Sequence, residues 1–130
     1  MDAIYYKELD YCPVKVYLSQ YLEDTQLLIS IRQKIKFIKE KEGRPIPPYA
    51  KQLRGYAFLE IRQKHSSRDI LIRILYFCYK NKMVLLSAFD KPDHYETQAI
   101  RKKIKKNYDF ANLCRKKFLS NPNLYEKYKE

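Results

Sequence analysis

The chain has 130 residues, enough for one domain with its own core and too few for two. A hydrophobic fraction of 45% argues against disorder, and 27 lysines and arginines against 15 acids leave a formal charge of +12, which predicts attraction to nucleic acid or to an acidic partner. Cys12, Cys78 and Cys114 lie far apart with no Cys/His spacing suited to zinc, no apolar run approaches ~18 residues, and the polar start MDAIYYKELD is unlike a signal peptide. The expectation is a cytoplasmic protein with no metal, no small-molecule cofactor and no membrane contact.

The charge is unevenly spread. Between Met1 and Ile31 the acids Asp2, Glu8, Asp10, Glu23 and Asp24 outnumber the bases Lys7 and Lys15, whereas between Arg101 and Lys117 eight bases meet only Asp109. Thirteen Tyr and six Phe supply rings that can fill a core or stack on bases.

In chain order, Ile4-Tyr5-Tyr6 is a short β-prone run, expected to form a first strand at a sheet edge. Pro13 suits a helix's first turn, with Val14, Tyr17, Leu18 and Tyr21 on its apolar face. A second helix is expected from Asp24 or Thr25, because Leu27, Leu28, Ile31, Ile35 and Ile38 recur at helical spacing and Gly43 offers a stop. Arg44 to Tyr49, with three prolines, must be an extended connector.

The period then changes. Tyr56–Gln63, Ile70–Tyr79 and Met83–Phe89 are rich in Ile, Leu, Val, Phe and Tyr, and short polar breaks separate them, which predicts an antiparallel meander. Roughly Thr97 to Phe118 predicts a basic helix or helix pair, and Asn121-Pro122-Asn123 ends it. The predicted class is α+β: a short N-terminal strand, two N-terminal helices packed on the meander, and a C-terminal basic helix, with one sheet face left available. Residues 1–118 make the domain, and 119–130 are expected to be a short disordered tail.

Two places can carry chemistry. Period 2 puts Phe58, Glu60 and Arg62 on one face of their strand, and Leu71, Arg73, Leu75 and Phe77 on one face of the next. An even hairpin loop would bring Arg62 and Arg73 together. Arg73 interrupts the apolar run Ile70–Tyr76, where an unpaired charge is costly. Either Glu60 pairs with it, or it faces a groove and binds an anion. Beyond the last strand, Lys91, His94 and Tyr95 lie within five residues, and His is the side chain suited to proton transfer near neutral pH.

Over about Pro48 to Ala99 these residues resemble the RelE superfamily of bacterial toxins, most closely its HigB-like, phage-derived branch. Tyr49-Ala50-Lys51-Gln52-Leu53-Arg54-Gly55 is similar to the segment "PyxKxLxg", Phe58 to Arg62 to "lWELR", Arg73 to Phe77 to "RiLYf", and Met83 to Lys91 to "ivLLhgFxKk". Leu59 stands where the family often has Trp, Ser87 where it often has His, and Pro92 where a second Lys is usual.

The resemblance implies a RelE-like fold and a ribosome-dependent mRNA endonuclease, held inactive by a cognate antitoxin of helix-turn-helix type. It implies cleavage without a metal, by attack of the 2′-OH on the adjacent phosphate. Arg62 and Arg73 would clamp the phosphate, Glu60 would orient them or act as base, and His94 and Tyr95 would serve proton transfer and base stacking. Lys51, Arg54 and Lys91 would be secondary RNA contacts, joined by Arg101, Lys102 and Lys105 of the basic helix. Two other readings stay open: a ParE-like inhibitor of DNA gyrase, and a catalytically decayed relative that only binds RNA.

Overall fold

The computed structural model describes residues 1–129. The chain opens with β1 (Asp2–Tyr6), α1 (Pro13–Leu18), a single 3-10 turn over Ser19–Tyr21, and α2 (Thr25–Glu40). Asp24 caps α2, its carboxylate accepting the Leu27 N–H at 3.1 Å. Leu27, Ile31, Ile35 and Ile38 form the buried stripe of α2. Its end is fixed at Gly43, which adopts φ 77° and donates its N–H to the Ile38 carbonyl at 2.8 Å. A Cβ at that position would also run into the Cys78 sulfur, so both the conformation and the space require glycine.

After the connector come β2 (Ala50–Gln52), β3 (Leu59–Lys64), β4 (Ile70–Tyr79), β5 (Lys82–Pro92), α3 (Gln98–Ser120) and β6 (Tyr125–Lys127). The six strands form one mixed sheet in the order β2-β3-β4-β5-β1-β6. β3, β4 and β5 are the antiparallel meander, and β1 joins β5 in parallel. The protein is therefore of the mixed α+β class.

Three expectations fail. β1 is interior, between β5 and β6, because the chain returns to pair with its far side. The expected disordered tail instead supplies β6, whose Tyr125 and Lys127 pair with Tyr6 and Ile4. And neither sheet face is left open. Leu18, Leu27, Ile31, Ile35 and Ile38 cover one face, over Ile61, Ile72, Ile74, Tyr76 and Leu85. On the other, Ala111, Cys114 and Phe118 of α3 pack over Leu75, Phe77, Val84 and Leu86. Cys114 and Phe118 follow Ala111 at helical spacing, so α3 has its own buried stripe.

The β3–β4 hairpin is organised by His65, whose Nδ1 accepts the N–H groups of Ser67 and Arg68, both at 3.1 Å. Its Nε2 lies 3.5 Å from Asp24, tying the hairpin to the start of α2. Among the described residues no helix is long and apolar enough to cross a membrane.

Candidate functional site

The meander register decides which charges meet. Arg62 stands directly opposite Arg73, Lys51 opposite Glu60, Arg73 opposite Phe89, and Leu71 opposite Lys91. Cross-strand neighbours share a face, so Lys51, Glu60, Arg62, Arg73 and Lys91 all lie on the side that α3 covers. Two guanidiniums face to face would repel, and Glu60 resolves this.

Glu60 is fully buried (0% exposed) and holds both arginines. Its Oε1 accepts from Arg62 Nε at 2.7 Å; its Oε2 accepts from the Tyr108 hydroxyl at 3.0 Å and lies 3.4 Å from Arg73 Nη1. Arg73 Nη1 in turn donates to the Tyr108 oxygen at 3.0 Å. The four groups form a closed network with every carboxylate oxygen engaged. That makes Glu60 an orienting anion first. Burying such charges is tolerable only because each has a partner.

The two arginines differ in access. The Arg73 side chain is only 7% exposed, with its guanidinium 6.0 Å from the Phe89 ring centroid, whereas that of Arg62 is 37% exposed. Among the described residues three buried polar atoms on this side of the sheet have no partner: Arg73 Nε, Ser87 Oγ on the residue opposite Leu75, and Arg115 Nε of α3, whose guanidinium lies over Phe77. Such atoms are uncommon in native interiors and mark a place where a polar ligand or water can bind.

Tyr108 is not among the site residues that the sequence predicts. It reaches the cluster from α3, with its ring 4.9 Å from Tyr56 and 5.9 Å from both Phe58 and Phe89. Burial first, and then the Glu60 charge, push its phenol up to about 12, against the opposing pull of Arg73. It therefore stays protonated at neutral pH and acts as a donor. The signal that could have found it is helical spacing, because Ile104, Tyr108, Ala111, Cys114 and Phe118 make one stripe along α3.

The other expected site residues lie around the cluster or away from it. Lys51 is exposed on β2, and Arg54 is exposed in the loop that follows. Lys91 is buried and engaged, with Nζ 3.3 Å from Glu96. Arg101, Lys102 and Lys105 are exposed on α3, where Lys105 pairs with Asp109 at 3.1 Å.

His94 and Tyr95 are not brought to the arginines. They follow the end of β5, and His94, 74% exposed, sits 3.2 Å from Asp69 of the β3–β4 hairpin. Phe89, the residue opposite Arg73, precedes His94 by five positions, and β5 ends between them at Pro92. The sequence put them near because it could not show where the strand stops. Asp69, Asp93 and His94 do bring their ligand atoms within 4.8 Å of one another, but Lys64 already holds Asp93 at 3.2 Å and the group is largely exposed.

Compared with protein-family models, with curated proteins and with solved structures, the chain matches none.

Proposed function

We propose that this protein is a metal-independent endoribonuclease of the RelE/HigB kind, cutting mRNA on the ribosome and controlled by a cognate antitoxin. The observation that carries the reading is the pairing of Arg62 and Arg73 across one buried carboxylate, on a sheet face where apolar residues would otherwise serve. The half-exposed Arg62 fork and the unpartnered Arg73 Nε leave donors in this cluster that a phosphate can use. A RelE-like arrangement, with two N-terminal helices on one face of a meander, is consistent with the observed element order.

The chemistry follows from these groups. The RNA 2′-OH attacks the neighbouring phosphorus and gives its proton to solvent. The bond from phosphorus to the 5′-oxygen breaks, leaving a 2′,3′-cyclic phosphate. Arg62 and Arg73 hold the non-bridging oxygens as negative charge builds, which guanidinium forks do better than lysine. Glu60 fixes both forks. Tyr108, protonated and within hydrogen-bond reach of the cluster, donates a proton to the departing 5′-oxygen. Lys51, Arg54 and the exposed bases of α3 draw the polyanion in. His94 and Tyr95 contact RNA farther along the strand direction.

A specific observation favours a second reading. Glu60 and Arg73 are nearly sealed beneath Tyr108, so the same network could simply fasten α3 to the sheet of a protein that binds RNA without cutting it. Translating ribosomes incubated with the protein separate the two. The nuclease reading expects mRNA cut within the A-site codon, with 5′-hydroxyl ends, and loss of cutting in Arg62→Ala. RNA binding with intact mRNA supports the second reading. Gyrase-dependent DNA breaks with intact mRNA support a ParE-like activity and overturn both.

A further inference from the structure

An apolar concavity lies on the opposite side of the molecule, where α1, α2 and the β6 segment meet. It has a cavity volume of about 560 Å³. Leu18, Leu28 and Ile31 line it, with Tyr5 and Tyr128 packed edge to face at one wall, 5.3 Å between centroids. Leu22, also lining it, is 71% exposed.

The rim is basic. Lys15, Arg32, Lys127 and Lys129 border the groove, and Glu126 is the one acid among its lining residues. Glu126 is already neutralised, by Lys15 at 2.6 Å and Lys7 at 3.3 Å. Arg32, Lys127 and Lys129 make no ion pair among the described residues. An aliphatic floor therefore lies between cations that make no ion pair among the described residues.

We infer that this groove docks an acidic amphipathic helical segment of a partner protein, apolar side chains on the floor and carboxylates against Arg32, Lys127 and Lys129. Helix-in-groove recognition needs this combination, with apolar anchors at helical spacing and complementary charge at the edges. RNA would leave the aliphatic floor unused, and a bilayer is too flat to fill a recessed groove. The site lies across the sheet from Glu60 and Arg73, so the inference goes beyond the nuclease reading and stands or falls without it.

The probe is a fluorescein-labelled helical peptide with Leu at i, i+3, i+4 and i+7 and Glu at the exposed positions, titrated into the full chain and followed by anisotropy. A second peptide carries Lys for every Glu. Saturable binding of the acidic peptide is expected, at least tenfold weaker for the Lys peptide and for the variants Leu22→Asp and Arg32→Glu. Both substitutions fall on exposed side chains, and circular dichroism verifies that the variants fold. Methyl resonances of Leu18, Leu22, Leu28 and Ile31 should move on binding, and Arg62→Ala should bind as the unaltered chain does. Absent saturation, binding indifferent to both variants, or unmoved methyls would overturn the inference. So would Leu22-dependent binding of phosphatidylserine vesicles or of single-stranded RNA with none of the acidic peptide.

Discussion

The two faces of the central sheet are made by alternate residues of the same strands, and they have been put to different uses. On the face covered by α1 and α2, Ile61, Ile72, Ile74, Tyr76, Met83 and Leu85 meet an unbroken aliphatic stripe. On the α3 face the same pattern holds only at one end, where Leu75, Phe77, Val84 and Leu86 pack on Ala111, Cys114 and Phe118. At the other end Glu60, Arg62, Arg73 and Lys91 take the inward positions. Alternation alone would have filled them with Ile and Leu at less cost. The first face supplies stability, and one end of the second carries charge. The helix α3 serves both ends: its second half packs, and its first half, through Tyr108, closes the polar cluster.

Arg73→Ala leaves the fully buried Glu60 with one arginine fewer and should destabilise the protein by about 3–5 kcal/mol, measured by denaturant unfolding. Loss of cutting in that variant alone would prove little. The double change Glu60→Leu with Arg73→Met sharpens the test, since apolar replacement of a buried pair is commonly neutral or stabilising. The double variant should retain the stability of the unaltered chain and lose all cleavage. A double variant as unstable as Arg73→Ala would mean that the cluster is there to hold the fold.

Next in size is the half-exposed partner. Arg62→Ala should lower the rate of ribosome-dependent cutting by about 10²–10³-fold, the usual loss when one charge-stabilising donor is removed. Arg62 also holds the buried Glu60, so the unfolding midpoint should fall as well, but by less than in Arg73→Ala because the Arg62 side chain reaches solvent. Equal rates in the two proteins would remove Arg62 from the proposed mechanism.

How much of this was written in the sequence depends on the range of the interaction. The stripe Leu27, Ile31, Ile35 and Ile38, the stop at Gly43 and the meander all follow from local spacing and turn chemistry, and the structure contains them. The even hairpin that would join Arg62 to Arg73 is present as well, in the register of β3 and β4. Contacts distant in sequence were not legible. Nothing near Asp2–Tyr6 says that Lys82–Leu85 will pair with it in parallel, nor that Tyr125–Lys127 will add a strand beyond it. The Tyr108–Glu60 contact spans 48 residues, and period alone could say which side of α3 was apolar but not which charges lay beneath it. His94 and Tyr95 are a different case: they are close in the chain to Lys91, but they follow the end of β5 at Pro92, and the His94 ring lies against Asp69 of the β3–β4 hairpin.

A smaller change on the purely apolar face provides the control. Ile35→Val removes one buried methylene at the centre of the α2 stripe and should cost about 0.5–1.5 kcal/mol, read from the denaturant midpoint. Cutting by the folded fraction should be unchanged. Reduced cutting at full folding would mean that the two faces are coupled through the sheet and that the division drawn between them is too sharp.

The smallest effect appears only at high pH, and it isolates Tyr108. Its phenol, ordinarily near 10.0, is pushed up to about 12, by burial before the charge of Glu60. A group with a raised folded-state value contributes its stability fully below the unfolded value and loses it as pH climbs through the folded one. Tyr108→Phe has no such term. The stability gap between the unaltered chain and Tyr108→Phe should therefore be constant below pH 10 and should close between pH 10 and about 12. Tyr5, Tyr6, Tyr17 and Tyr76 are also shifted upward by burial, so both proteins will weaken in strong alkali, and only their difference reports on Tyr108. A gap that stays constant through pH 12 would mean that the hydroxyl is not held in the buried network. The first half of α3 would then lie open over Arg62 and Arg73, and the contrast between a sealed end and a packed end would vanish.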